Sequence, residues 1–406
     1  MSSMFKAFSN RNYLLFFCGQ SVSQIGTWMQ RIAVNWVVYT ATQSAFMLGV
    51  AAFAQQFPSF LFSLVGGITA DRYNRYKLLL FTQTASMIQA VLLAILVLTG
   101  HYSIPVILGL SVFLGIINAF DLPARQPLVH ELVTDKADVP NAVALNASMV
   151  NMAVLVGPAL SGIILQAFGA GICFLLNALS FLAVLASLLL MKLPPYVAPT
   201  EKKKALSEMS EGFQYIRKTP SIRTALISMA VVSLFVLSYN TLVPVFAKVV
   251  FKGDAATFGY INSFIGLGAI SGTLLLASLR NKDLNRLLLI NTIILGLGLI
   301  FFSLTSNFAV AMFFAVLAGF GSMSQTTLCL TIVQLHADVK MRGRVLSYVG
   351  MAYFGMLPLG SLLAGTVSQS VGAGKTLLVQ GILSVIIAVV IFLIAPKKED
   401  QNTIQH

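Results

Sequence analysis

Gly66-Gly67-Ile68-Thr69-Ala70-Asp71-Arg72-Tyr73-Asn74-Arg75-Tyr76-Lys77 is a charged dozen wedged between two long apolar runs. The run before it, Phe46 to Ala70, and the run after it, Leu78 to Thr99, each match the ~20 residues that a bilayer-spanning helix needs. The stretch therefore predicts a tight basic loop at a membrane surface, joining two transmembrane helices. Its glycines let helix ends approach closely, and Asn74 suits a left-handed turn. Asp71 places a carboxylate where a basic side chain or a helix end can meet it.

Composition agrees. The chain of 406 residues is 57% hydrophobic and 10% charged, against roughly 45–50% and 25% in soluble domains, which excludes a water-soluble fold. Hydropathy and its breaks mark twelve candidate spans between Leu14 and Ala395, so an all-α membrane protein is expected. Met1 to Asn12 is short and polar and the first apolar run is too long for a signal core, so no cleavable leader is expected. Cys18, Cys173 and Cys329 lie singly in apolar runs and read as packing residues. No His, Cys and carboxylate cluster has ligand spacing, so no metal is expected. Gly374-Lys375-Thr376 has the letters of a phosphate-binding loop, but it joins two apolar spans and follows no strand, so no nucleotide is expected.

An even number of spans puts both termini on one side. That side carries 22 of the 26 Lys and Arg residues, the other only Lys248, Lys252 and Lys375, while Arg31 lies inside a span. The positive-inside rule makes the termini and the opening loop cytoplasmic in a bacterial inner membrane. The net charge of +13 is thus a topology signal, and its dispersal over short loops argues against a nucleic-acid partner.

One long polar break divides the chain into residues 1–192, a linker at 193–221, residues 222–396 and a cytoplasmic tail at 397–406. Each large part holds six spans. In the linker Leu206, Met209, Phe213 and Ile216 form one apolar helix face, suited to the inner membrane surface with Lys204, Arg217 and Lys218 at anionic headgroups. A solvated linker helix is the other reading. The halves also echo each other: Asp138-Val139, Pro158 and Gly169-Ala170-Gly171 recur as Asp338-Val339, Pro358 and Gly372-Ala373-Gly374. This suggests two repeated six-helix bundles with a substrate site at the membrane midplane.

Two motifs resemble those of a known family. The spacing Gly67-x-x-x-Asp71-Arg72-x-x-Arg75 resembles the signature loop of major facilitator superfamily transporters. In the fifth span Ala153, Gly157 and Ser161 recur every four residues, a smooth face for close helix packing, and Pro158 bends the rod. With Gly162 this string also resembles the antiporter motif of superfamily exporters, carrying Ala153 and Ser161 where glycine is usual, and the resemblance implies export. Asp71 needs a positive partner, and Arg125 at the inner end of the fourth span is the expected one. Together with Gly67 they would form a cytoplasmic gate, with Arg72 and Arg75 meeting Glu131 or lipid phosphates. A pair that only fixes topology is the plainer reading.

Polar residues inside spans mark the expected pathway. Gln20, Gln24, Thr27, Arg31 and Asn35 share about a quarter of the first helix's circumference. An Arg at a helix centre costs roughly 2.5–3.5 kcal/mol to insert, so Arg31 should face a cavity or a partner. It lies 17 residues past Leu14, or ~26 Å, where it serves either substrate binding or an outer structural anchor. Gln55, Asn118, Tyr239, Asn240 and Gln325 are further cavity candidates, each of which also suits an interhelical hydrogen bond. All thirteen acids lie in loops or at span ends. Asp121, near the inner end of the fourth span, is the one carboxylate placed to couple transport to protons, unless it partners Arg125 instead.

Four further strings, Ser23 to Arg31, Asp121 to Gln126, Phe174 to Phe181 and Met341 to Val345, look like those of the bacterial major facilitators grouped as transmembrane secretion effectors, which include the enterobactin exporter. Asn74 and Tyr76 depart from the usual opening loop. The resemblance implies the major facilitator fold, twelve transmembrane helices in two six-helix bundles. It also implies a monomeric secondary transporter that exports an amphipathic small molecule, siderophore or drug-like, by alternating access. No cofactor would be bound, the proton motive force supplying the energy. A proton-independent importer or flippase for a lipid-like solute, and a non-transporting membrane sensor, are the alternatives. No nucleophile, base and orienting acid converge, so an enzyme is not expected.

Overall fold

The computed structural model describes residues 3–133, 135–192, 205–278, 283–339 and 341–395. Regular structure among them is helical throughout, the solution a bilayer imposes because a helix satisfies its own backbone groups. A short 3-10 helix, Ser3–Ser9, leads into α1 (Arg11–Thr42), α2 (Ala45–Arg72) and α3 (Arg75–Leu98). Then follow α4 (Ile104–Glu131), α5 (Val139–Phe168), α6 (Ala170–Leu190) and the linker helix α7 (Ala205–Lys218). The second half has α8 (Pro220–Phe235), α9 (Ala255–Ser278), α10 (Leu284–Leu304), α11 (Phe308–His336), α12 (Arg342–Val371) and α13 (Ala373–Ile394). From Pro220 to Val250 the chain forms one span, with α8 continued by 3-10 turns at Leu237–Leu242 and a π turn at Phe246–Val250.

Omitting α7, twelve helices have the length of a span, and among the described residues eleven are also apolar enough to cross a membrane by composition. The exception is α1, amply long at 32 residues, whose stripe of Gln, Asn and Arg lowers its mean hydropathy.

The chain divides into two compact units. Unit 1 is Met1–Gln43, Val50–Lys202 and Lys252–Ser263; unit 2 is Ser44–Gly49, Lys203–Phe251 and Phe264–His406. Two helix starts are therefore exchanged relative to a division at residues 192 and 222. The start of α9 packs in unit 1, where a Cβ on Gly259 would lie 2.7 Å from the Pro158 carbonyl oxygen of α5. The start of α2 packs in unit 2, where a Cβ on Gly49 would lie 2.6 Å from the Ser361 oxygen of α12.

The sequence repeat has structural counterparts. Gly169 (φ +82°) and Gly372 (φ +89°) each make the single-residue turn between α5 and α6 and between α12 and α13. The repeated aspartates mark loops that are tied to the segment preceding each bundle. In unit 1 Lys6 pairs with Asp138 at 2.9 Å, and Asn141 accepts from the Ala7 N–H at 3.0 Å. The hydrogen bond and charge of Asp138 hold the Lys6 ammonium above its ordinary pKa. In unit 2 the Tyr215 hydroxyl of α7 accepts from the Asp338 N–H at 3.1 Å and donates to the His336 carbonyl at 3.4 Å.

α7 does not present its whole apolar face to lipid. Ile216 is buried in the core of unit 2, Gly212 lies against Tyr348 and Arg344, and Tyr348 donates to the Met209 carbonyl at 2.9 Å. Phe213 remains half exposed. Lys204 and the tail at 397–406 lie outside the described residues.

Candidate functional site

The opening stretch is mostly helix. α2 runs through Arg72 and α3 starts at Arg75, so only Tyr73 and Asn74 connect them. Asn74 is not left-handed: at φ −62° it is the N-cap of α3, its side chain accepting from the Tyr76 and Lys77 N–H groups. Asparagine suits both roles, and the helix start decides between them. Close approach falls to Gly66, where a Cβ would run into the Ala119 carbonyl of α4; beside Gly67 nothing lies within 4 Å.

The expected Asp71–Arg125 latch is replaced by two separate clusters in unit 1. Arg75 donates to Glu131 at 2.5 Å and to the Ala70 carbonyl at 3.2 Å, and meets the exposed Asp71 at a looser 3.5 Å. Arg125 pairs instead with Asp121, one helical turn earlier on α4. Four-residue spacing sets those two side chains on one face, whereas Asp71 points into solvent with 70% of its side chain exposed. Asp121 is 1% exposed and accepts from Thr82 at 2.8 Å and Gln83 at 2.7 Å, both on α3.

The stripe on α1 forms the second site. The Arg31 guanidinium lies over the Trp28 ring, 4.6 Å from its centroid, and Asn35 accepts from Gln55 of α2 at 3.0 Å. The segment Trp28 to Trp36 is braced from several helices of unit 1. A Cβ on Gly157 would stand 2.5 Å from the Trp28 Cβ, so the glycine of the α5 motif is what lets α1 and α5 approach closely here. Ser161 of the same motif donates to the Met29 carbonyl at 3.1 Å. Gln30 donates to Gln89 of α3 at 2.9 Å and accepts from Asn177 of α6 at 2.8 Å. Gln89 donates onward to the Leu110 carbonyl of α4 at 3.1 Å. Trp36 stacks on Phe258 with ring centroids 5.7 Å apart.

Of the other expected cavity residues, Gln24 and Asn118 are half-buried and Asn240 is exposed. Gln20, Tyr239 and Gln325 are instead packed in the interior of their units. Gln325 donates to Ser228 of α8 at 3.4 Å, the interhelical role open to any polar residue in a span, and to the Cys329 sulfur one turn on in its own helix at 3.4 Å. The residues that sequence reasoning missed are the braces: Trp28, Gln30, Thr82, Gln83, Gln89 and Asn177. Thr82, Gln83, Ser86 and Gln89 do share one face of α3, a signal visible in the sequence.

The long apolar helices define a multi-pass membrane protein. The fold matches a solved nucleoside transporter at a TM-score of 0.77 and 11% identity, over 95% of this chain and 99% of that one. A POT family transporter matches at 0.76 and 13% identity, over 95% and 96%. The chain belongs to the transmembrane secretion effector family, which it matches over residues 2–406. It is similar to the staphyloferrin A transporter of Staphylococcus aureus, 29% identical over 97% of each chain. Likewise it is 25% identical to the enterobactin exporter of Shigella flexneri, over 92% and 90%, and 23% identical to macrolide efflux protein A of Streptococcus pyogenes, over 92% and 93%. The protein is therefore a transporter and not an enzyme.

Proposed function

We propose that the protein is a proton-coupled exporter of an amphipathic small molecule, siderophore or drug-like, working by alternating access as a monomer without a bound cofactor. The observation that carries this reading is the support of α1: the export-associated motif of α5 packs on the helix that bears Arg31 and Asn35. Motif and polar stripe thus form one device. The names of the relatives, which refer to two siderophores and macrolides, support this class of solute. The basic asymmetry of the loops supports cytoplasmic termini in a bacterial inner membrane.

Asp121 is our candidate for proton coupling. It is buried, bears on two helices, and would exchange Arg125 for a proton during the cycle. The same ion pair favours the alternative, a proton-independent importer or flippase, if it never opens. Inside-out vesicles with an imposed pH gradient separate the two. The expected result is gradient-driven accumulation of staphyloferrin A or erythromycin that D121N abolishes. Full pH-driven accumulation by D121N would refute the coupling role.

A further inference from the structure

We propose that the fold does not need the charges of the Asp121–Arg125 pair, and that Gln83, seconded by Thr82, is the positioning residue that keeps Asp121 in place while Arg125 leaves it. The inference deepens the proton-coupling reading above and rests on it. It begins with the repeat. α4 and α11 start at the N-caps Ser103 and Asn307, so residues equally far along share a register: Asp121 matches Gln325, and Arg125 matches Cys329. α3 and α10 start at the N-caps Asn74 and Asp283, which matches Thr82 and Gln83 with Asn291 and Thr292. Unit 2 therefore holds a neutral copy of the site. The buried Gln325 amide donates to the Cys329 sulfur at 3.4 Å, across the same helical turn that the ion pair bridges in unit 1. Asn291 and Thr292 turn back on their own helix, donating to the Leu287 and Leu288 carbonyls at 2.8 and 2.7 Å. Neutral groups thus fill all four positions. A buried ion pair costs the desolvation of both partners and is often replaced by neutral groups without loss of stability, so the pair in unit 1 is kept for work and not for packing.

The two oxygens of Asp121 have separate holders. Oδ1 accepts from the Thr82 hydroxyl at 2.8 Å and from the Gln83 amide at 2.7 Å, both on α3, while Oδ2 meets Arg125. Arg125 gives it one N–H, and the Arg125 Nε–H is buried with no partner among the described residues, so the frequent two-bond fork is not formed. Arg125 can therefore withdraw, and a proton can take Oδ2 in its place, without freeing the carboxyl from α3. It also has the looser seat, with 18% of its side chain exposed against 2% for Asp121. Thr82 is the weaker holder, because its single hydroxyl proton has a second acceptor in the Leu79 carbonyl at 3.0 Å. Gln83 is the firmer one. The other charged groups on the helices around α4 are placed elsewhere: Arg75 bonds Glu131 and Asp71, and Arg31 lies over Trp28. Arg11, Arg72, Lys77 and His130 are exposed, and α5 carries no charged residue.

Two measurements test the two halves. Thermal unfolding in one detergent compares wild type, D121Q and D121Q/R125C, the last carrying the residues of unit 2. D121Q should melt below wild type because it leaves a buried guanidinium unpaired, and D121Q/R125C should return to the wild-type melting temperature or above. A double variant melting at or below D121Q would overturn the claim that the fold needs no charge here. Inside-out vesicles given radiolabelled staphyloferrin A or erythromycin then report accumulation driven by a pH gradient and, without a gradient, counterflow, in which solute exchanges for solute with no net proton movement. Q83M should lower driven accumulation about tenfold or more with counterflow within about twofold of wild type, since a bond to a charged group contributes on the order of 10- to 100-fold. T82V should lower it less, and T82S should restore it. A merely structural role would lower both readouts together, and that result would overturn the positioning role. If D121N lost driven accumulation while Q83M kept it, this inference alone would fall. A wild type that accumulates neither solute under a gradient would remove the coupling reading and this inference with it.

Discussion

Both units join their first helix to their last by a buried hydrogen bond at matching positions, with unequal support. Asn177 and Gln380 each stand eight residues after the turn glycine, Gly169 or Gly372. In unit 1 Asn177 of α6 reaches Gln30 of α1, and Gln89 of α3 completes a three-amide chain. In unit 2 Gln380 of α13 reaches Ser238 at 2.9 Å, and its own carbonyl oxygen finds no further partner. The backbones differ accordingly. α1 is regular helix through Gln30, whereas the span from Pro220 gives up α geometry at Leu237–Leu242, around Ser238 itself. A mid-span 3-10 stretch is a common site of bending. The contrast assigns α1 to holding a rigid contact and the second-unit span to deforming.

The largest effect expected outside the transport assays comes from Asn177→Leu. It strands the buried side-chain carbonyl oxygen of Gln30, at a cost of about 1–3 kcal/mol. Gln380→Leu removes a single bond, and the Ser238 hydroxyl can turn to its own helix, so about 0.6 kcal/mol is expected. Thermal unfolding in one detergent compares them, and equal losses would break the contrast.

Gly66 and Gly67 sharpen it at a helix crossing. Gly66→Ala drives a methyl into the Ala119 carbonyl and should cost about 1–3 kcal/mol, while Gly67→Ala meets open space and should stay within about 0.5 kcal/mol. Matching melting shifts for these neighbours would show that α2 and α4 are not held closely here.

A smaller effect concerns the exchanged start of α9. Asp254 accepts from the Thr257 N–H at 3.0 Å, which holds its carboxyl below the ordinary carboxylate pKa. Its folded value is lowered, so its contribution is complete above the unfolded pKa and is lost as pH falls through the folded one. Asp254→Ala should therefore destabilise by about 1 kcal/mol at pH 7, and the gap to wild type should narrow below pH 4. A gap that stays constant down to pH 3 would remove the cap from the account.

Much of this was legible in the sequence. Long apolar runs with basic breaks dictate the spans, and the turn glycines and aspartates disclosed the repeat before any helix was placed. Asp121 and Arg125 stand four residues apart, so their pairing was visible as well; the motif around Asp71 drew the arginine to the wrong acid. The exchanged helix starts were not legible, because hydropathy records depth and not neighbours. Nor was the brace, since Gln30, Gln89 and Asn177 are single polar residues on three helices. Nothing in one chain's periodicity reveals that they meet.

Hydrogen exchange of the protein in lipid nanodiscs tests the contrast most directly. Amides of Leu237–Leu242 should exchange at least about tenfold faster than those of the α1 segment from Gln30 to Asn35, because opening a span at a 3-10 stretch breaks weaker backbone bonds. The α1 segment should lose its protection in N177L. Equal protection of the two segments in wild type, or faster exchange in α1, would contradict the assignment of a fixed helix to Arg31 and a yielding one to Ser238.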